Sequence, residues 1–187
     1  MTKESRSETS IFTVQEICQV AIFTALIAIL AQISIPLPGG VPLTLQTLAI
    51  PLAGLVLGAK KGTAATLVYV LLGAAGVPVF AGFKGGLGSV LGLTGGFIIS
   101  FPLMAFISGL AADRDSKRLI LPSLFLGAIA NYAIGTVWFS IASQNSLMAA
   151  YLACVLPFIP TAILKIFIAS WLGPMLKGAL IRAGLLK

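Results

Sequence analysis

Residues 17–59 read ICQVAIFTALIAILAQISIPLPGGVPLTLQTLAIPLAGLVLGA, and no charged side chain interrupts them. A helix crosses the hydrocarbon core of a bilayer with about 20 apolar residues, so this stretch is long enough for two passes. The turn between them is PLPGGVP (36–42), whose prolines and glycines end the first apolar segment. Outward from there, uncharged runs recur at 62–83, 85–112 and 119–164, with a shorter one at 166–176. Of the 187 residues, 58% are hydrophobic and 9% are charged, against roughly 25% charged in a soluble domain. Mean hydropathy is +1.08. So few charges cannot wet a globular surface, which excludes a disordered chain, a secreted disulfide scaffold and a soluble enzyme.

Turn residues and charges cut the runs into segments at about 17–35, 46–59, 63–75, 90–112, 119–142 and 160–181. Lys60-Lys61-Gly62 separates the second from the third, and Asp113 to Arg118 closes the fourth. The stretch 147–157 is apolar but too short to cross, and reads as a capping helix near the outer surface. The expectation is an all-α integral membrane protein with six transmembrane helices, since backbone groups in lipid must bond within their own segment. It is one domain over 1–187, with 1–16 as a cytoplasmic tail. No signal-peptide cleavage site follows the first apolar run, which reads as a retained span. The second and third segments are short and abut Pro- or Gly-rich loops, a pattern that points to backbone lining a cavity.

An even number of crossings puts both termini on one side. That side carries Lys3, Arg6, Lys60, Lys61, Arg114, Lys117, Arg118, Lys177, Arg182 and Lys187, and all five acids. The positive-inside rule makes it cytoplasmic, and the net charge of +7 therefore implies no nucleic-acid partner. Two cations remain for the outer loops and the membrane core: Lys84 and Lys165. An ammonium within a span costs about 3 kcal/mol on insertion scales unless it finds a partner, and the outer half has no carboxylate to offer. A small anionic ligand would complete the pairing. No intramembrane Asp, Glu or His is present for a proton relay, and no GxxxxGK[ST] loop for ATP. No catalytic constellation, metal-ligand set or cofactor is expected, and Cys18 and Cys154 read as packing residues.

Candidate site residues follow from position. Lys165 lies one turn inside the last segment, where the alternative to ligand contact is snorkelling. Lys84 stands among glycines, with Gly85 and Gly86 letting backbone amides approach a ligand. Thr94, Gly95 and Gly96 open the fourth segment, where free N–H groups favour an anion and close helix packing is the alternative. Thr44 either caps a helix or joins Gln46 at a cavity. Asn131 serves interhelical hydrogen bonding or ligand contact. Phe80 and Phe83 offer apolar cover, and Trp138 and Tyr151 sit near the outer boundary, where aromatic rings are enriched; Tyr151 is taken as a candidate ligand contact. Ala21 and Ala25 form a small-xxx-small stripe, suited to packing within the chain or to another helix.

VPLTLQT (41–47), GAAGVPVFAGFKGGLGSVLGLTGG (73–96), NYAIGTVW (131–138) and PTAILK (160–165) together resemble the BioY family, the biotin-binding S components of energy-coupling factor (ECF) transporters. The resemblance covers nearly the whole chain. It implies a bacterial multi-pass cell-membrane protein with six helices that captures biotin from outside. It also implies partners: a transmembrane coupling protein and two ATPase subunits, embedded in membrane lipid. It assigns Thr44, Gln46, the 80–96 loop, Asn131 and Lys165 to the biotin pocket, and Ala21 and Ala25 to docking on the coupling protein. One departure is that Ala162 stands where the family often has Asp, and Leu93 and Phe97 replace a common Pro and Tyr. The competing expectation from composition alone is a self-sufficient facilitator or channel for a small organic anion.

Overall fold

The computed structural model describes residues 13–37 and 40–186. Helix α1 (Val14–Gln32) starts on a reciprocal cap. The Glu16 amide donates to the Thr13 hydroxyl at 3.3 Å, and the Thr13 amide donates to the Glu16 carboxylate at 2.9 Å. Two otherwise orphaned N–H groups are thereby satisfied. Residues 14–16 belong to this helix and not to a tail; the tail expected at 1–12 lies outside the described residues, as do Lys3, Arg6 and Lys187.

A short two-stranded ribbon lies between the helices after α1. Strands β1 (Ser34–Ile35) and β2 (Leu43–Thr44) pair antiparallel, Ser34 opposite Thr44 and Ile35 opposite Leu43. Ile35 precedes Pro36, and a residue before proline is biased toward extended backbone.

Helix α2 (Gln46–Ala74) has 29 residues but is not one rod. Straight, it would hold Gln46 and Tyr69 about 34 Å apart; instead their side chains are hydrogen-bonded. The chain reverses at Gly58 (φ 82°, ψ 173°), a conformation open essentially to glycine. Two antiparallel arms result, 46–57 and 59–74. The Ala59 amide, first of the second arm, donates to the Asp113 carboxylate at 3.1 Å, an anion placed at a helix N-terminus. The break was expected at Lys60-Lys61-Gly62. It falls earlier because Gly62 lies against the Gly54 backbone, bringing the arms together without an intervening side chain. Gly54 meets the Ala105 carbonyl, and Gly109 meets Ala59, so both arms seat closely on the fourth long segment through small residues.

That segment also differs from expectation. A single-turn helix α3 (Leu87–Leu91) precedes α4 (Gly95–Asp113), with the chain broken at 92–94. Then come α5 (Lys117–Ser143), α6 (Leu147–Cys154), a 3-10 turn (Leu156–Phe158) and α7 (Ile159–Arg182). Among the described residues, five helical stretches are long and apolar enough to cross a membrane: α1, α2, α4, α5 and the joined 147–182. The six expected helical segments are recovered, two of them as the arms of α2.

Contacts sort the two ends of the bundle. At one end lie the Gly58 reversal with Asp113, the Lys61–Glu16 pair at 3.7 Å, and Lys177, whose Nζ donates to the Ala112 carbonyl at 2.9 Å. The other end carries the β1–β2 ribbon, the 75–94 loop and α6. Gly58→Ala should destabilise the fold by about 1–3 kcal/mol, since its Cβ would also strike Asp113. Asp113→Ala should cost about 1 kcal/mol through the lost cap. Thermal unfolding in detergent reads both; two unchanged midpoints would refute this account of the reversal.

Candidate functional site

Helix α7 enters the bundle with Lys165 pointing inward. The residue is 9% exposed, and its Nζ donates to the Thr44 carbonyl at 2.7 Å and the Thr47 hydroxyl at 3.0 Å. The snorkelling alternative is thereby excluded: the ammonium is solvated by protein dipoles, not by water at the bilayer surface. Strand β2 ends at Thr44 and presents its carbonyl to α7.

From Thr44 a polar chain runs on. The Thr44 hydroxyl accepts from the Gln46 amide at 3.3 Å and donates to Gln46 Oε1 at 3.0 Å. Gln46 Nε2 donates to the Tyr69 hydroxyl, which donates to the Val79 carbonyl at 3.1 Å. A buried amide or hydroxyl left without partners costs about 1–3 kcal/mol, and here each group completes the next. Tyr69 also meets Phe80 edge to face, ring centroids 5.5 Å apart at 82°, and Gly73 leaves room for the Phe80 ring. Phe80 is thus fixed in the wall of a cavity.

That cavity collects much of what the sequence pointed to. Thr44, Gln46, Phe80, Lys84, Thr94, Asn131 and Lys165 all line it. Thr94 precedes α4 without making a side-chain capping bond. Asn131, 1% exposed, donates to the Phe97 carbonyl at 3.1 Å and the Ser100 hydroxyl at 2.7 Å. Nδ2 ties α5 to α4, the interhelical use anticipated for it, and the residue also lines the cavity. Lys84 is exposed at the rim, held by a reciprocal backbone pair with Phe80 at 2.9 and 3.3 Å. Two ammonium groups and no carboxylate belong to the lining among the described residues. Thr47, Phe97, Phe101, Tyr132, Cys154 and Phe158 complete much of the wall.

Six candidates do not line the cavity: Gly85, Gly86, Gly95, Gly96, Tyr151 and Phe83. Gly85 packs on the Val77 and Gly76 backbone, and Gly86 takes φ 87° to turn the chain, its amide donating to the Gly73 carbonyl at 2.7 Å. Gly95 and Gly96 press against the Trp138 side chain, with Gly95 also against the Val90 carbonyl; Trp138 Nε1 donates to the Gly92 carbonyl at 2.9 Å. These glycines shape the wall by what they lack. Tyr151 is 41% exposed and lines a separate, outward-facing groove with Phe125, Val137 and Ile163. The buried residues of α6 are Ala150 and Cys154, and 3.6 residues per turn set Tyr151 about 100° round from Ala150. Cys154 reaches the cavity in its place. Phe83, at 72% exposure, faces outward.

Some of the missed lining had a readable signal. Phe97 and Phe101 are four apart, on the face of α4 that also carries the partners of Asn131. Cys154 had none, because its position depends on how α6 folds back. Ala21 and Ala25 are exposed on α1, so neither is covered by the rest of the described residues. Cys18 is likewise exposed, whereas Cys154 is buried in the cavity wall.

A multi-segment helical bundle with lipid-suited faces and a cavity lined by polar and aromatic side chains at its less charged end defines the class of a multi-pass membrane protein. Residues 1–182 match the BioY family. The probable biotin transporter BioY of Pyrococcus horikoshii is 45% identical over 164 residues, covering 88% of this chain and 97% of that relative. The biotin transporter BioY of Thermotoga maritima is 41% identical over 164 residues, covering 87% and 96%. Among solved structures, the S-component for biotin from an ECF-type ABC transporter superposes with a TM-score of 0.82 at 29% identity, covering 88% of this chain and 92% of that one. The chain belongs to the BioY family, a family of transporters and not of enzymes.

With biotin as probe, Tyr151→Ala should leave affinity within about twofold, since it touches only the outer groove. Cys154→Leu, which adds bulk to a close-packed wall, should weaken it by about tenfold. Titration calorimetry of both variants distinguishes the two positions, and equal effects would return Tyr151 to the site.

Proposed function

We propose that this protein is the biotin-capturing membrane subunit of an ECF-type transporter in a bacterial cell membrane. The chain crosses six times, through α1, the two arms of α2, α4, α5 and α7, with both termini cytoplasmic. The cation-rich end at Gly58 and Asp113 faces the cytoplasm, as the positive-inside rule requires, and the cavity opens outward. The observation that carries the reading is Lys165: a buried ammonium in a cavity wall, held by neutral acceptors. Two of its three N–H bonds are used, and its charge is uncompensated among the described lining residues.

Biotin matches this wall group by group. Its carboxylate supplies the missing charge for Lys165. Phe80, Phe97 and Phe101 cover the tail and thioether ring, as apolar linings do in most small-molecule sites. The ureido group finds the unused Asn131 Oδ1, whose amide nitrogen is already committed to α4. Lys84 at the rim attracts the anion on approach.

The chain itself carries no nucleotide-binding loop, so uphill uptake needs a module of a transmembrane coupling protein and two ATPase subunits. The exposed Ala21 and Ala25 on α1 offer the close-approach surface that helix association in lipid uses. No observation favours a self-sufficient channel.

Lys165→Met should weaken biotin binding by about 100-fold, in line with removal of one member of a buried charge pair. Biotin amide should bind the wild type comparably weakly, and the substitution should add little further loss for the amide. Calorimetry on detergent-purified protein tests the cycle; undiminished biotin affinity in Lys165→Met would overturn the assignment. Ala21→Trp should abolish co-purification with the coupling protein while leaving biotin affinity unchanged, and a retained complex would refute docking through α1.

A further inference from the structure

We infer that Gln32, at the end of α1, is a positioning residue for ligand capture: its side-chain amide clasps the 76–86 loop that carries Phe80 and Lys84 into the cavity wall. Its role in retaining biotin rests on the function proposed above; the clasp itself does not.

Gln32 lies outside the cavity lining, yet both ends of its amide are engaged with the loop. Nε2 donates to the Val79 carbonyl at 3.1 Å, and also to the Ala28 carbonyl of its own helix at 3.0 Å. Oε1 accepts from the Phe83 amide at 2.9 Å. Val79 and Phe83 bracket Phe80 in sequence, so the two bonds grip the loop on either side of the ring that lines the cavity.

The loop has little else to hold it. Phe80 is its buried anchor, while Val77, Pro78, Gly82, Phe83 and Lys84 are exposed. Segments with few buried apolar contacts open at low free energy. Its two ends are tied to their chain neighbours: Gly76 and Gly86 donate to the Gly73 carbonyl, Val77 donates to the Leu72 carbonyl, and Ser89 of α3 donates to the Gly85 and Gly86 carbonyls. Within the loop, the Val79 carbonyl also accepts from Tyr69 of the second arm of α2 at 3.1 Å. Gln32 is its link to α1, and it holds the stretch around Phe80 and not the loop's ends. It also holds a strained turn: Gly82 and Phe83 are consecutively left-handed, at φ 70° and 56°, a region a bulky residue enters only when its surroundings enforce it. The Phe83 amide bonded to Gln32 is such an enforcement.

Opening the wall then requires the loop to leave α1 as well as α2. The position of α1 becomes a term in how long a ligand stays, although no atom of Gln32 touches it. Val79 completes the logic: its carbonyl accepts from Gln32 and from Tyr69, so the clasp is continuous with the polar chain that ends on Lys165.

Two substitutions grade the clasp. Gln32→Met is close to isosteric and removes every bond; Gln32→Glu keeps an acceptor for the Phe83 amide and loses both donors. In the full-length protein, radiolabelled biotin should dissociate at least fivefold faster from Gln32→Met, with Gln32→Glu intermediate and association within twofold of wild type. A purely structural role would instead lower the active fraction or slow association without this split. A nitroxide on Phe83→Cys, in a Cys18→Ser background, should become more mobile in the ligand-free Gln32→Met protein. Unchanged nitroxide mobility overturns the clasp, and dissociation less than fivefold faster overturns its role in retention. Should Gln32→Met not fold, Gln32→Glu decides on the same spectra, with a twofold threshold for dissociation. Should the wild type bind no biotin, the proposed function falls while the nitroxide spectra still decide the clasp.

Discussion

A charged ammonium inside a bundle that lives in lipid has to be solvated by something, and Lys165 is solvated by the backbone of β2. Its bonds to the Thr44 carbonyl and the Thr47 hydroxyl lock α7 to the start of α2. Exposed to hydrocarbon, the same group would cost several kcal/mol. The irregular backbone around β2, itself intolerable in lipid, is permitted because it lines a cavity and is satisfied by protein. Each of the two costly features thus offsets the other, and the cavity is the place where they meet.

The rest of the polar interior extends from that contact. Thr44, Gln46, Tyr69 and Val79 carry hydrogen bonds from the ribbon, across both arms of α2, to the 76–86 loop, and Gln32 carries them on to α1. The ribbon, both arms of α2, the loop and α1 are therefore held in register by directional bonds at the cavity end. At the opposite end registry comes from small residues instead. Gly54, Gly62 and Gly109 let the arms of α2 and helix α4 approach to backbone contact, and Asp113 caps the arm that begins after Gly58. Close packing without a hydrophobic drive is how helices associate in lipid, whereas the solute end needs polar groups and takes its order from them.

Much of this was legible beforehand. Uninterrupted apolar runs, Pro-Gly breakers and one-sided charge determine segment number and polarity, because each reports directly on the cost of placing a residue in hydrocarbon. Lys165, Asn131 and Gln46 stood out for the same reason: a polar residue in an apolar run requires a partner. The boundaries were less legible. Gly58 and Gly62 look alike in the chain, yet one turns it and the other packs; the difference lies in whether Asp113 or Gly54 stands opposite. Tyr151 and Cys154 are three residues apart on one short helix, and only the way α6 folds back on the bundle sends the cysteine, not the tyrosine, to the cavity.

The sequence by itself determined that this is a helical membrane protein whose five acids all lie in stretches of chain away from Lys84 and Lys165, since hydropathy and charge are local properties that no fold can alter. Which groups face one another was decided by tertiary structure alone. The inward turn of Lys165, the arms of α2 joined through Gln46 and Tyr69, and the grip of Gln32 on Val79 and Phe83 are contacts between residues 23 to 121 positions apart. Such pairings leave no trace in a single sequence, because hydrogen bonding depends on distance and direction in space, and those exist only once the helices have packed.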